Sequence, residues 1–352
     1  QEQSVHGMLP IWSHYANENW CMIGYHATSV IADAAAKQVG DFDLEKALAA
    51  SVETANVRYF EGIGDYIDYG YVPDDLSHSS VSKTLEYAYN DWCIAQLADQ
   101  LGQDSLATVF MDRAKSYAAV YDASIGFMRP KLSSGDFRAD FDPMDTHGQG
   151  FIEGNAWNYG LYVPHEVDTM IAMMGGKERM TLMLDSLFTM EIADKYIEQT
   201  EDITRDGIIG NYVQGNEPGH HIPYLYNWTG APEKTQERVR MILNTMYGPG
   251  VDGLCGNDDA GQMSAWYLFS SLGFYPVCPG STDYAIGSPG VVSATIHLEN
   301  GQTLEIQTEG QSETAVLVDQ VFWNGEEVED WTLNHLDLIQ GGTLKYIMQS
   351  SN

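Results

Sequence analysis

Residues 80–101 read SVSKTLEYAYNDWCIAQLADQL, and the spacing of their apolar positions decides the fold class. Val81, Leu85, Ala88, Trp92 and Ala95 recur at steps of three and four, which gathers them on one face of an α-helix. Gly102 follows and ends the pattern. The same periodicity returns over 19–39, 43–57, 104–121, 157–174, 178–190, 233–247 and 260–272. Short connections rich in Gly, Pro or Asp separate these segments, as at Gly175-Gly176 and Gly248-Pro249-Gly250. Helices joined by short loops form antiparallel hairpins, so residues 1–280 are expected to be mainly α, as one helical domain. After Pro279 the period changes to two. Residues 293–298, 303–308 and 314–323 alternate apolar with polar and are joined by turns such as Glu299-Asn300-Gly301 and Asn324-Gly325. Residues 281–352 are therefore predicted to form a small antiparallel β region.

Composition narrows the function. A hydrophobic fraction of 44% supplies a core and argues against disorder. Fifty acidic residues against 17 basic ones give a formal charge of −33, which repels phosphate backbones and anionic lipid. Nucleic acid and membrane are accordingly excluded as partners, and no apolar run approaches the ~18 residues of a spanning helix. Carboxylates are hard oxygen ligands, so calcium is the metal to look for. Cys21, Cys93, Cys255 and Cys278 show no zinc spacing, and their number is compatible with two disulfides or none. Gln1-Glu2-Gln3-Ser4 has no signal-peptide pattern, as expected after signal removal or for a start inside a longer chain.

Three polar, Gly-containing segments carry the residues suited to chemistry. They are Gly150–Tyr159, Gly215–His221 and Gly256–Trp266. Hydrolysis of a glycosidic bond needs one protonated carboxyl for the leaving oxygen and a second carboxylate as nucleophile or base. Asp258 and Asp259 precede a predicted helix whose positive end favours their ionised forms. Glu153 stands near Trp157 and Tyr159, and apolar surroundings favour the protonated form an acid requires. Taken alone, an Asp-Asp pair before a helix is more often a cap than a catalyst. Asn216 and Glu217 offer oxygen ligands beside Pro218, whose fixed φ stiffens the loop. His220 and His221 are candidate sugar partners or metal ligands.

Read in order, further segments join these: Gly-Met-Leu-Pro-Ile-Trp (7–12), Met-Ile-Gly-Tyr-His (22–26), Gly-Tyr-Val-Pro (70–73), Ser-Val-Ser-Lys-Thr-Leu-Glu-Tyr-Ala-Tyr (80–89), Gly-Phe-Met-Arg-Pro (126–130) and Leu-Gly-Phe-Tyr-Pro-Val-Cys-Pro-Gly (272–280). Together with Glu153–Tyr159, Gly215–His221 and Gly256–Tyr267, this series closely resembles glycoside hydrolase family 92, the calcium-dependent exo-acting α-mannosidases. The resemblance implies an (α/α)6 toroid, an inverting mechanism and a calcium ion that contacts mannose in the cleavage subsite. It implies Glu153 as the general acid and Asp259 as the base, with Asp258 or Asn257 assisting. Trp157, His220, His221 and Asn257 become expected substrate contacts, and Asn216 and Glu217 expected calcium ligands. The expected partners are mannose-containing glycans, with an α-1,2 or related linkage, in a secreted, periplasmic or cell-surface setting. Family members are much longer, so the toroid is expected to be incomplete at its N-terminus and an N-terminal β-sandwich to belong to the same parent chain. The alternatives are another toroidal glycoside hydrolase, or a non-catalytic carbohydrate- or calcium-binding module.

Overall fold

The computed structural model describes residues 7–14, 17–197 and 204–349. The chain forms two compact units, one of residues 1–166, 193–200 and 279–281, the other of residues 167–192, 201–278 and 282–352.

The first unit is helical: α1 Ala27–Ala36, α2 Leu44–Thr54, α3 Ile63–Tyr69, α4 Ser80–Gln100 and α5 Asp104–Arg113. The periodic segment 80–101 is its central helix, and α1, α2 and α5 all pack on it. Gly102, at φ +67°, turns the chain back into α5, with Gln103 N–H donating to Ala98 O at 2.8 Å. Because α4 is covered on most sides, it buries polar residues as well as apolar ones: Ser82, Lys83, Thr84, Glu86, Asn90 and Asp91 are all buried. Each needs a partner at that depth. Lys83 Nζ meets Glu61 at 2.6 Å, and Asp91 accepts from Tyr25 OH at 2.7 Å and Arg113 Nε at 2.7 Å.

Three predicted helices are shorter than the periodicity suggested. Residues 19–25 are not helical, since Trp20 and Met22 sit at φ +55° and +68°, and the Glu18 carboxylate accepts from the backbone N–H groups of Ile11, Trp12 and Trp20 at 2.8–2.9 Å. Those bonds outweigh burial and hold the Glu18 carboxyl below its ordinary pKa. The segment 104–121 ends as α-helix at Arg113 and continues as a 3₁₀ turn, Ser116–Val120. Residues 157–163 form turns, since Asn155 and Asn158 side chains bind the local backbone. Pro164 then opens a 3₁₀ turn.

The second unit contains α6 Val167–Met173, α7 Lys177–Thr189, α8 Pro232–Thr245 and α9 Gln262–Leu272. The strands do not stand apart from them. β1 Phe274–Tyr275, β2 Asp283–Ile286 and β7 Thr332–Asn334 make one sheet in the order β7-β2-β1. β3 Ser293–His297, β4 Thr303–Glu309, β5 Val318–Trp323, β6 Glu326–Glu327 and β8 Gly342–Met348 make the other, in the order β6-β5-β8-β4-β3. The expectation of a purely antiparallel region needs correction. β8 runs parallel to β4, from Leu304 opposite Gly342 to Glu309 opposite Ile347, because it returns through β7 and a short helix rather than a hairpin. Alternation places Leu304, Ile306, Leu344, Tyr346 and Met348 in one core, against which Phe269 and Leu272 of α9 pack. The four cysteines are free thiols.

Candidate active site

In the first unit, the N-terminus of α4 holds the segment that carries Glu153. Val81 and Ser82 donate their amides to Gly150 O at 2.8 and 3.1 Å, using N–H groups that have no partner within the helix. Ser82 Oγ accepts from Ile152 N–H at 3.1 Å. A Cβ at Gly150 would stand 2.6 Å from Pro130, so only glycine permits this approach. On the far side of Glu153, Asn155 and Asn158 exchange side-chain-to-backbone bonds at 2.9 and 3.2 Å, and Asn155 Oδ1 also accepts from Trp157 N–H at 3.0 Å. Trp157 is half-buried, edge-on to Phe127 at 4.9 Å. Glu153 itself is half-buried and sits at φ +55°, a left-handed conformation that is strained for a residue with a side chain.

The second unit brings the other candidates together through three glycines. Gly207 O accepts from the amides of Gln214 and Gly215 at 2.8 and 3.1 Å. A Cβ on Gly207 or on Gly215 would lie 2.8 Å from Cys255 O, and one on Gly256 would lie 2.4 Å from Gly215 O. Backbone therefore packs on backbone, and Asn216-Glu217 is seated beside Asn257-Asp258-Asp259. Asn216 is buried, Glu217 and Asp258 are half-buried, and Asn257 and Asp259 are exposed. Asp258 Oδ1 accepts from Ser264 N–H at 2.9 Å in the first turn of α9, so it caps the helix as well as flanking Asp259. Asp259, Ala260 and Gly261 follow at φ +42°, +57° and +98°. The candidate base thus shares the strained left-handed backbone of the candidate acid.

His220 is only 1% exposed. Its Nε2 lies 2.9 Å from Gln214 O, its Nδ1 3.4 Å from Gln262 Nε2, and its carbonyl accepts from the indole of the fully buried Trp266 at 3.0 Å. Burial pushes its pKa down to about 4, which leaves the ring neutral, with Nε2–H donating to Gln214 O. Gln214, absent from the sequence reading, is the second buried pin. Its amide lies between the hydroxyls of Tyr212 and Tyr247, the latter at 2.7 Å. The only sequence signal for it is its position next to Gly215. His221 is buried beside these groups.

The candidate calcium ligands are of the right kind. Asn216 and Glu217 present amide and carboxylate oxygens on a loop fixed by the glycine contacts, which suits a hard cation. Among the described residues no group of three His, Cys, Asp or Glu side chains gathers as a metal cage.

Each unit thus carries one carboxylate-bearing loop on left-handed backbone. Residues 1–350 match the glycosyl hydrolase family 92 catalytic domain, and the chain belongs to that family. The structure is similar to that of the family GH92 alpha-mannosidase BT3965 from Bacteroides thetaiotaomicron, solved in complex with mannoimidazole, at TM-score 0.94 and 42% identity over 99% of this chain and 46% of that one. It is also similar to the inverting mannosidase BT2199 of the same organism, at TM-score 0.86 and 35% identity over 98% of this chain and 48% of that one. A relative from Arthroderma benhamiae, described as an uncharacterized secreted glycosidase, is 26% identical over 96% of this chain and 46% of its own length. The chain spans about half the length of the relatives it matches.

Proposed function

We propose that the protein carrying this chain is a secreted, inverting exo-α-mannosidase that removes terminal α-linked mannose, in an α-1,2 or related linkage, from glycans. The observation that carries this reading is the 42% identity, over nearly the whole chain, to a mannosidase whose structure is in complex with mannoimidazole. We read the helices as part of an (α/α)6 toroid. A secreted setting accords with the description of the fungal relative, and no described helix is long and apolar enough to cross a membrane.

Glu153 donates a proton to the leaving oxygen, and Asp259 takes one from the attacking water. Asp258, held by the first turn of α9, keeps Asp259 in place. Trp157, His221 and Asn257 are assigned to sugar contact. His220 is assigned a positioning role on the same loop, because its ring nitrogens face Gln214 and Gln262. Asn216 and Glu217 are assigned to calcium, which supplies a positive anchor for sugar hydroxyl oxygens.

Kinetics of variants test the assignment. Glu153→Gln should cost about 10²–10⁴-fold with poor leaving groups and far less with activated aryl mannosides, which need little protonation. Asp259→Asn should be severe with both, since neither substrate spares the base. Equal losses for Glu153→Gln on the two substrates would refute the acid.

A further inference from the structure

Against the Glu153 loop lies a polar chain, Tyr159–Glu86–His26–Asn90, buried except at His26, whose side chain is partly exposed. Glu86, on α4, has a side chain only 6% exposed. One carboxylate oxygen accepts from Tyr159 OH, and the other lies 2.9 Å from His26 Nε2. Burial pushes the Tyr159 phenol well up, with the Glu86 charge adding to it, so the phenol remains a donor. The remaining hydrogens follow from the contacts. Tyr25 N–H donates to Asn90 Oδ1 at 2.8 Å, so Asn90 presents its NH₂ to His26 Nδ1, 2.9 Å away. Two donors cannot face one another, so Nδ1 accepts and Nε2–H points at Glu86. Gly24 makes room for this pair. It sits at φ +86°, and a Cβ there would lie 2.4 Å from His26 Nε2 and 2.8 Å from Glu86 Oε2.

The chain reaches Glu153 through the ring of Tyr159. A Cβ at Gly154 would meet Asn158 Oδ1 at 2.6 Å and that ring at 3.3 Å, so the backbone next to Glu153 lies close against both. Ser82 holds Ile152 on the other side, and Ser82 and Glu86 stand one helical turn apart on α4. One helix thus reaches the backbone on either side of Glu153, through Ser82 directly and through Glu86 by way of Tyr159.

We infer that Glu86 is a positioning residue for the general acid: through Tyr159, and steadied by His26, it holds the backbone around Glu153 in its strained left-handed conformation. This rests on the reading of Glu153 as the acid, so the experiment separates the two.

In the full-length protein, amide hydrogen exchange is compared for wild type, Glu86→Gln and Tyr159→Phe. Exchange over residues 152–157 should quicken about ten-fold in each variant while the interior of α4 is unchanged. Unchanged exchange at 152–157 overturns the proposal, whatever Glu153 does. Kinetics give the second readout. Glu86→Gln should lower kcat about ten-fold on a poor-leaving-group mannoside and less than about two-fold on an activated one, with KM unmoved. Added to Glu153→Gln, it should cost little more, because both act through one group. Equal losses on both substrates, or losses that multiply with Glu153→Gln, overturn it. If Glu153→Gln alone shows no leaving-group dependence, the acid assignment falls, and the exchange result alone decides whether Glu86 positions this loop. Should Glu86→Gln fail to fold, Tyr159→Phe, which removes one oxygen, carries both measurements.

Discussion

The neutrality of His220 has a consequence for acid stability that can be sized. In the unfolded chain the imidazole takes a proton near pH 6.5, while in the fold burial delays this to about 4. Between those values the unfolded state binds more protons, so stability rises with pH across the window. The contribution is full above about pH 6.5 and is lost as pH falls toward 4. The span corresponds to about 3 kcal/mol for this fully buried group. Many carboxylates also titrate in this range, so a difference measurement is needed. Urea unfolding, followed by intrinsic fluorescence at constant ionic strength from pH 7 to 4, should be compared for wild type and His220→Gln. Glutamine keeps a donor for Gln214 O but does not titrate. At pH 7 wild type should be the more stable, and its advantage should shrink by about 3 kcal/mol by pH 4. His165, also pushed to about 4 by burial, contributes equally to both proteins and cancels. A wild-type advantage constant across the range would refute the reasoning.

The contact of Gly256 with Gly215 predicts that Gly256→Ala costs about 1–3 kcal/mol, because its Cβ would stand 2.4 Å from Gly215 O. Gly248→Ala is the control, since its nearest contact is Gly253 Cα at 3.9 Å, and thermal melts should separate the two by several degrees. Chelation should abolish mannose release reversibly, with calcium restoring it and zinc failing to, as the oxygen donors of Asn216 and Glu217 require. Full activity of dialysed, metal-free enzyme would remove calcium from the proposal.

The helices that the sequence declared most clearly are those whose faces bury against neighbours: 80–101 became α4, 178–190 became α7, and 260–272 became α9. α3 was missed. It is a seven-residue helix set between left-handed Gly62 and Gly70, too short to show a period. Residues 19–25 failed for a different reason, since Trp20 and Met22 take left-handed backbone that an α-helix excludes. The candidate site was legible as segments but not as an assembly. Nothing local to Gly207 tells that it packs against Gly215 and Cys255. Glu86 carries no local signal in the sequence, and only the packing of Tyr159 and His26 around it gives it a task.

The parallel strand β8 has a bearing on how this chain is made. On the ribosome, the β3–β4 and β5–β6 hairpins are synthesised before β8, and each keeps one edge of unpaired N–H and C=O groups until β8 arrives. Isolated hairpins are marginal in water, so the apolar faces of β4 and β5 wait uncovered while β7 and the linking helix are still being translated. The nascent protein is thus most exposed to misassociation just before Gly342–Met348 emerges. Release of the chain before that point would leave two sticky hairpins in place of one sheet.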